Sequence, residues 1–156
     1  MTSIALTKAT KPTKKPVYDY EETGAGVWKT YHYPNGQRYR EFQSYVDWFG
    51  LPLISFTSGI HPELGERKTA HGAIAIGWKA RGFVAIGQFC QGYIAIGQFA
   101  VSRVLAIGQF TLAPISFGQM AIGVFCLSQM GISLAGIHQM GITFAGGIGQ
   151  LITTLF

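Results

Sequence analysis

A chain of 156 residues with a net charge of +5 is long enough for one ordinary domain, or for a small domain followed by an array. All seven acidic residues and nine of the twelve Lys and Arg precede Gly72, leaving only Lys79, Arg81 and Arg103 charged beyond it. That distribution excludes a nucleic-acid groove, where Lys and Arg must track a phosphate backbone; positive charge beside an apolar block fits a membrane surface better.

Residues 1–26 carry Lys8, Lys11, Pro12, Lys14, Lys15 and Pro16, then Asp19, Glu21, Glu22 and Gly24-Ala25-Gly26. Apolar residues are sparse, and the stretch reads as a flexible N-terminal arm. It lacks the apolar run of roughly 7–15 residues that a signal peptide needs. A cytoplasmic or membrane-associated protein is therefore expected.

Residues 27–71 read as a β-hairpin and capping region. Val27 to Tyr33 alternates, Pro34-Asn35-Gly36 turns, and Gln37 to Phe42 returns. Asn-Gly between alternating runs signals a hairpin, because both residues tolerate positive φ. Through Tyr33-Pro34-Asn35-Gly36, Tyr39 and Phe42 the stretch resembles the hairpin of MORN repeats, with Arg40-Glu41 where that family usually has Gly-Glu. MORN arrays are scaffolding and membrane-associated modules built from several copies. One copy implies a hairpin and no function. Tyr45 to Thr57, with Trp48, Phe49, Leu51 and Phe56 around Gly50 and Pro52, reads as a short strand or two covering the first coil. Gly59 to His71 reads as a polar loop.

Residues 72–156 are a decapeptide repeat. Blocks of five run large, small, large, small, anything, as in Ile74-Ala75-Ile76-Gly77-Trp78 and Val84-Ala85-Ile86-Gly87-Gln88. Two kinds of block alternate, so the period is ten. Gln88, Gln98, Gln109, Gln119, Gln129, Gln139 and Gln150 mark it, with one extra residue near Val104 and another near Ile148. A repeat this short predicts an all-β fold, a flat β-solenoid of about ten residues per coil with two short strands in each.

Alternate strand residues face opposite ways, so one side of each strand is small and the other large. Two sheets with large side chains between them need about 10 Å of separation. A two-residue corner spans that only when nearly fully stretched. Small residues are therefore expected inside and large ones outside. The array is similar in spacing to the ten-residue-coil antifreeze proteins of midges, which place Cys and Gly inward. Their paired cysteines and hydroxyl arrays are absent here, so the resemblance implies a flat coil and no ice binding. From Phe49-Gly50-Leu51-Pro52-Leu53 through the Ala-Ile-Gly repeats, the chain also resembles bacterial Gly/Ala/Leu-rich decapeptide-repeat proteins, a short-coil β-solenoid family. That resemblance implies no activity.

With large residues outward, one face carries Ile86, Ile96, Ile107, Phe117 and Phe125, and the other Phe89, Phe99, Phe110, Met120, Met130 and Met140. These are the candidate assembly faces, since a soluble monomer rarely exposes more than a few hundred Å² of apolar patch. The glutamines form a candidate polar ladder along one edge, whose amides can bond from coil to coil. The expectation is a non-catalytic structural protein whose solenoid self-associates into an oligomer or filament, in solution or on a membrane. The alternative is a membrane-anchored adaptor, with a lipid-embedded array and the hairpin as binding module. About eight coils at roughly 4.8 Å make a rod comparable with a hydrocarbon core of about 30 Å. Trp78, Lys79, Arg81, Tyr93 and Arg103 would be its interfacial belt. An ordinary transmembrane helix over 112–137 is a third reading.

No enzyme chemistry, cofactor, metal, nucleic acid or small-molecule substrate is expected. His138 occupies a Gly/Ser slot with no carboxylate in register, and His32, His61 and His71 lack metal spacing. No GxxxxGK[ST] loop occurs. Cys90 and Cys126 sit in small-residue slots about four coils apart, roughly 17–20 Å, too far for a bridge.

Overall fold

Side-chain size alternating at period two, repeated every ten residues, winds the second half of the chain into stacked rungs. The structure, a computed structural model describing residues 16–149 and 151–155, is all-β. A β-solenoid follows an N-terminal hairpin sheet, and no helix occurs among the described residues.

The sheet begins earlier than the sequence suggested. β1 (Asp19–Thr23) pairs antiparallel with β2 (Gly26–His32), and β2 with β3 (Arg38–Ser44). The expected flexible arm therefore gives way to strand at Asp19; residues 1–15 lie outside the described residues. The β2–β3 hairpin turns through a three-residue loop, Pro34-Asn35-Gly36, where the sequence placed its turn. Gly36 N–H donates to the Tyr33 carbonyl at 3.0 Å and Tyr33 N–H to the Gln37 carbonyl at 2.9 Å. Only Gly36 has positive φ, at 81°, and the Asn35 side chain accepts from Gln37 N–H at 3.1 Å instead. This is a type I turn closed by a glycine bulge.

β4 (Asp47–Trp48) and β5 (Leu51–Pro52) form a two-residue ladder whose turn, Phe49-Gly50, has φ of 51° and 75°. β6 (Ile54–Ser58) joins the two halves. It pairs antiparallel with β3 on one side and parallel with the first coil on the other, in the register Ile54↔Ile74. That twenty-residue offset takes in the loop after β6. His61 organises the loop, its Nδ1 accepting from Glu63 and Leu64 N–H at 3.3 and 3.4 Å. Thr69 to His71, expected to be loop, already belong to the array.

The array consists of β7 (Thr69–Leu112) and β8 (Ile115–Ile148), long strands that wind on themselves, and the four-residue β9 (Leu151–Thr154), which pairs with the end of β8. Leu105 pairs with Ile115 and Phe110 with Met120, one rung being ten residues. Met140 pairs with Leu151, absorbing one of the two extra residues. The stretch 112–137 is strand throughout apart from the turn at Ala113 and Pro114, which overturns the transmembrane-helix reading.

Small residues fill the interior. Ala95 and Ala100 are 0% and 1% exposed, while their neighbours Ile96 and Phe99 are 38% and 44% exposed. Ala75, Ala80, Ala85, Ala106 and the cysteines join the same buried column. Successive rungs of a wall approach closely, since a Cβ built on Gly87 would collide with the Gly77 carbonyl oxygen one rung back. Beyond Cys126 the filling changes sides: Gly131, Gly136 and Gly141 take the slots alanine held, and Ser128, Ser133, His138 and Thr143 take those held by glycine.

Candidate interaction surfaces

The ten-residue winding gives the array two broad walls and two narrow edges. Ile86, Ile96, Ile107, Phe117 and Phe125 are exposed on the first wall. On the second, Phe89, Phe99, Phe110, Met120, Met130 and Met140 are exposed and form one column. Its aromatic part is a stack: Phe89 and Phe99 lie 5.1 Å apart at 6°, Phe99 and Phe110 4.9 Å apart at 3°. Two positions along each strand stands a companion column, Val101, Leu112, Ile122, Ile132 and Ile142. Between the columns Ala100, Thr111, Ala121, Gly131 and Gly141 form a recessed floor, and the resulting groove holds about 400 Å³.

Toward the N-terminal end of this wall the same columns turn polar. Thr69, Lys79 and Phe89 precede Phe99, while His71, Arg81 and Gln91 precede Val101. These residues line a second cavity of about 480 Å³, which shares Phe99 and Val101 with the apolar groove. The two cavities are one trench. The first wall changes far less, because Ile74, Ile76, Val84 and Ile86 keep it apolar from its start.

Of the candidate belt residues, Arg81, Tyr93 and Arg103 line one cavity of about 490 Å³, which Trp78 and Lys79 do not. Lys79 and Arg81 lie in the trench. Tyr93 is on one edge, stacked at 5.0 Å on Phe83, and receives the Arg103 guanidinium, whose Nη1 donates to its hydroxyl at 3.4 Å. Trp78 is on the opposite, glutamine edge, beneath Arg67 at 3.7 Å. Gln98, Gln109, Gln119, Gln129 and Gln139 are exposed along that edge and Gln88 is partly so; Gln150 lies outside the described residues. Their side chains make no hydrogen bonds to one another among the described residues, so the edge is a row of solvated amides, not a bonded ladder.

Two polar constellations are structural in geometry. His138 is 1% exposed, with Nδ1 2.6 Å from Ser128 Oγ and Nε2 2.7 Å from Ser133 Oγ. Added Cβ atoms on Gly131 and Gly136 would strike the ring. Burial holds its pKa below the usual histidine range, and a neutral ring satisfies one serine as donor and the other as acceptor. In the hairpin sheet, buried Glu41 accepts from Tyr39 OH at 2.7 Å and Lys68 Nζ at 2.5 Å. Burial would raise the Glu41 carboxyl, but the bonds from Lys68 and Tyr39 outweigh it and leave the pKa lowered. Burial raises both thiols, Cys90 and Cys126, and Cys90 donates to the Ile96 carbonyl at 3.2 Å. Among the described residues no cluster of His, Cys, Asp and Glu could hold a metal ion.

The small floor and the His138 cage went unrecognised in the sequence. The signal for the cage was present as Ser128, Ser133 and His138 at spacings of five, opposite glycines. Compared with family models, with curated proteins and with solved structures, the chain finds no match.

Proposed function

We propose that the protein is a non-catalytic assembly element whose apolar-walled solenoid packs against further copies of itself, the isoleucine wall first. The observation that carries this reading is the inversion at each rung, with Ala95 and Ala100 sealed inside while Ile96 and Phe99 face out. A folded chain gains about 25 cal/mol for each Å² of apolar surface it removes from water. These walls leave a large part of that gain unrealised in a single copy. Copies meeting face to face would realise it, and repetition of the same pairing gives a bundle or filament.

Sedimentation in detergent-free buffer tests the proposal. The expected result is a mass well above 17.0 kDa, reduced when Ile107→Glu places a charge on the isoleucine wall. A detergent-free monomer with native β-structure would overturn it. A second reading, attachment to a bilayer, draws on Lys79 and Arg81 with Tyr93 and Arg103 near one end of the rod. No helix of the described residues is long and apolar enough to cross a membrane; in this reading the solenoid is the attaching element. Recovery only in detergent would favour that reading.

A further inference from the structure

We propose that the trench on the second wall binds a single-chain anionic amphiphile, a long-chain fatty acid, with its carboxylate at Lys79 and Arg81 and its tail running toward Met120. The inference rests on the outward coat but not on association through the isoleucine wall, so either can fail alone. Three observations point to this occupant. The trench is continuous, because Phe99 and Val101 line both its basic and its apolar parts. Its polarity changes once along its length, from Lys79, Arg81 and Gln91 to a stretch that is almost wholly carbon. No carboxylate lines the basic end, and among the described residues the ion pair formed is that of Lys68 with Glu41, in the hairpin sheet. Two cations without an acidic partner complement an anionic head, and a guanidinium holds a carboxylate through paired hydrogen bonds.

The dimensions select one chain over two. A recessed floor flanked by a single column on each side is a slot for one tail. A bilayer core of about 30 Å is spanned by two acyl chains, so one chain extends roughly 15 Å. Ring spacings of 5.1 and 4.9 Å along the wall put about three rungs under such a tail. From Phe89 those rungs reach Phe99, Phe110 and Met120.

The test is calorimetric titration of the full chain with palmitate below its micellar concentration. Parallel arms use octanoate, the uncharged methyl ester of palmitate, and phosphatidylcholine/phosphatidylserine vesicles. Saturable binding of one palmitate per chain is expected, weakening roughly fourfold for each methylene removed, the equivalent of about 0.8 kcal/mol. The doubly substituted Lys79→Glu, Arg81→Glu chain should bind at least tenfold more weakly, as should Phe110→Glu. Ile107→Glu should leave palmitate affinity unchanged whatever it does to the mass. All four positions are exposed, and circular dichroism checks that each variant keeps its β-structure. Equal affinity for palmitate and its ester, indifference to the charge reversal, or loss of binding in Ile107→Glu would each overturn the proposal. So would binding to the vesicles without binding to palmitate.

Discussion

Ala95 and Ile96 are neighbours in the chain and opposites in the fold, so one substitution at each separates interior from coat. Ala95→Leu adds three carbons to a gap filled around it by small residues such as Ala85, Cys90 and Ala100, with Ala95 itself 0% exposed. Overpacking of this kind costs about 1–3 kcal/mol. The flat coil has no slack, which places the cost at the upper end, a loss of roughly 6–12 °C in Tm for a chain of this size. Ile96→Lys keeps an aliphatic stem against its rung neighbours and carries its charge into water, so the isolated fold should lose less than about 1 kcal/mol. Association behaves in the reverse sense. Ile96 has 38% of its surface left to bury, worth about 1 kcal/mol per copy, and an ammonium trapped in the interface costs several more. In a two-fold pairing each term counts twice, so Ile96→Lys should weaken assembly by at least about 10³-fold. Thermal melts followed by circular dichroism, beside sedimentation equilibrium, read the two effects. If Ile96→Lys melts like Ala95→Leu and keeps its mass, the inward and outward assignments are wrong.

The other predictions concern the interior and the cap. Because burial depresses the His138 pKa, the unfolded chain takes up a proton first as pH falls, near 6.5. Stability should therefore be full above that pH and fall as pH drops toward the depressed folded value, by at most about 1.4 kcal/mol per pH unit. His61 is lowered as well, mainly by burial, so the difference between wild type and His138→Ser in urea melts from pH 8 to 5 isolates His138. Parallel slopes would refute its role. Gly87→Ala should prevent the rungs closing, since its Cβ meets the Gly77 carbonyl, whereas Gly24→Ala, with nothing within 4 Å, should change stability by less than about 0.5 kcal/mol; equal melts would refute the close approach. Glu41→Gln removes the carboxylate from Lys68 and Tyr39 and should cost about 1–3 kcal/mol, measured by urea unfolding of the hairpin sheet at neutral pH. The wild-type contribution should fade as pH falls through the lowered carboxyl pKa, and a variant as stable as wild type would refute it.

The array was legible because its rule is arithmetic. Block position alone predicts which residue faces in, and the buried column from Ala75 to Cys126 follows it. The same arithmetic places Lys79 and Arg81 on a wall, Tyr93 and Arg103 on the adjoining edge where they share a cavity with Arg81, and Trp78 on the opposite edge. β1 escaped detection because its residues, Asp19 to Thr23, are all exposed and owe their strand to backbone pairing with β2, which leaves no apolar alternation to read. The hairpin loop, Pro34-Asn35-Gly36, is legible in the sequence; which of its residues takes positive φ is not, and Gly36 alone does so. Along the chain His138 is one ring in a Gly/Ser slot with no carboxylate in register. Its cage became visible only with the rungs superposed, when glycines that look like interchangeable small residues become the volume the ring occupies.

The interior explains why the coat matters. A core of small residues, alanine and glycine first with Cys90, Cys126, Ser116 and Thr143 among them, offers few methyl groups, so the hydrophobic term that stabilises an ordinary domain is small here. What replaces it is rung-to-rung hydrogen bonding and the stacking of identical side chains over one another, as in the nearly parallel rings of Phe89, Phe99 and Phe110. Stacking covers the flank of each side chain and leaves its tip in water, which is why exposures along both walls cluster near two-fifths rather than at either extreme. A thin core and a half-covered coat are thus two results of one constraint, the short corner. Widening the coil to bury the isoleucines would need longer corners and would break the ten-residue register. The chain cannot satisfy its outer surface by refolding, and the remaining apolar area can be removed from water only by something that docks on it.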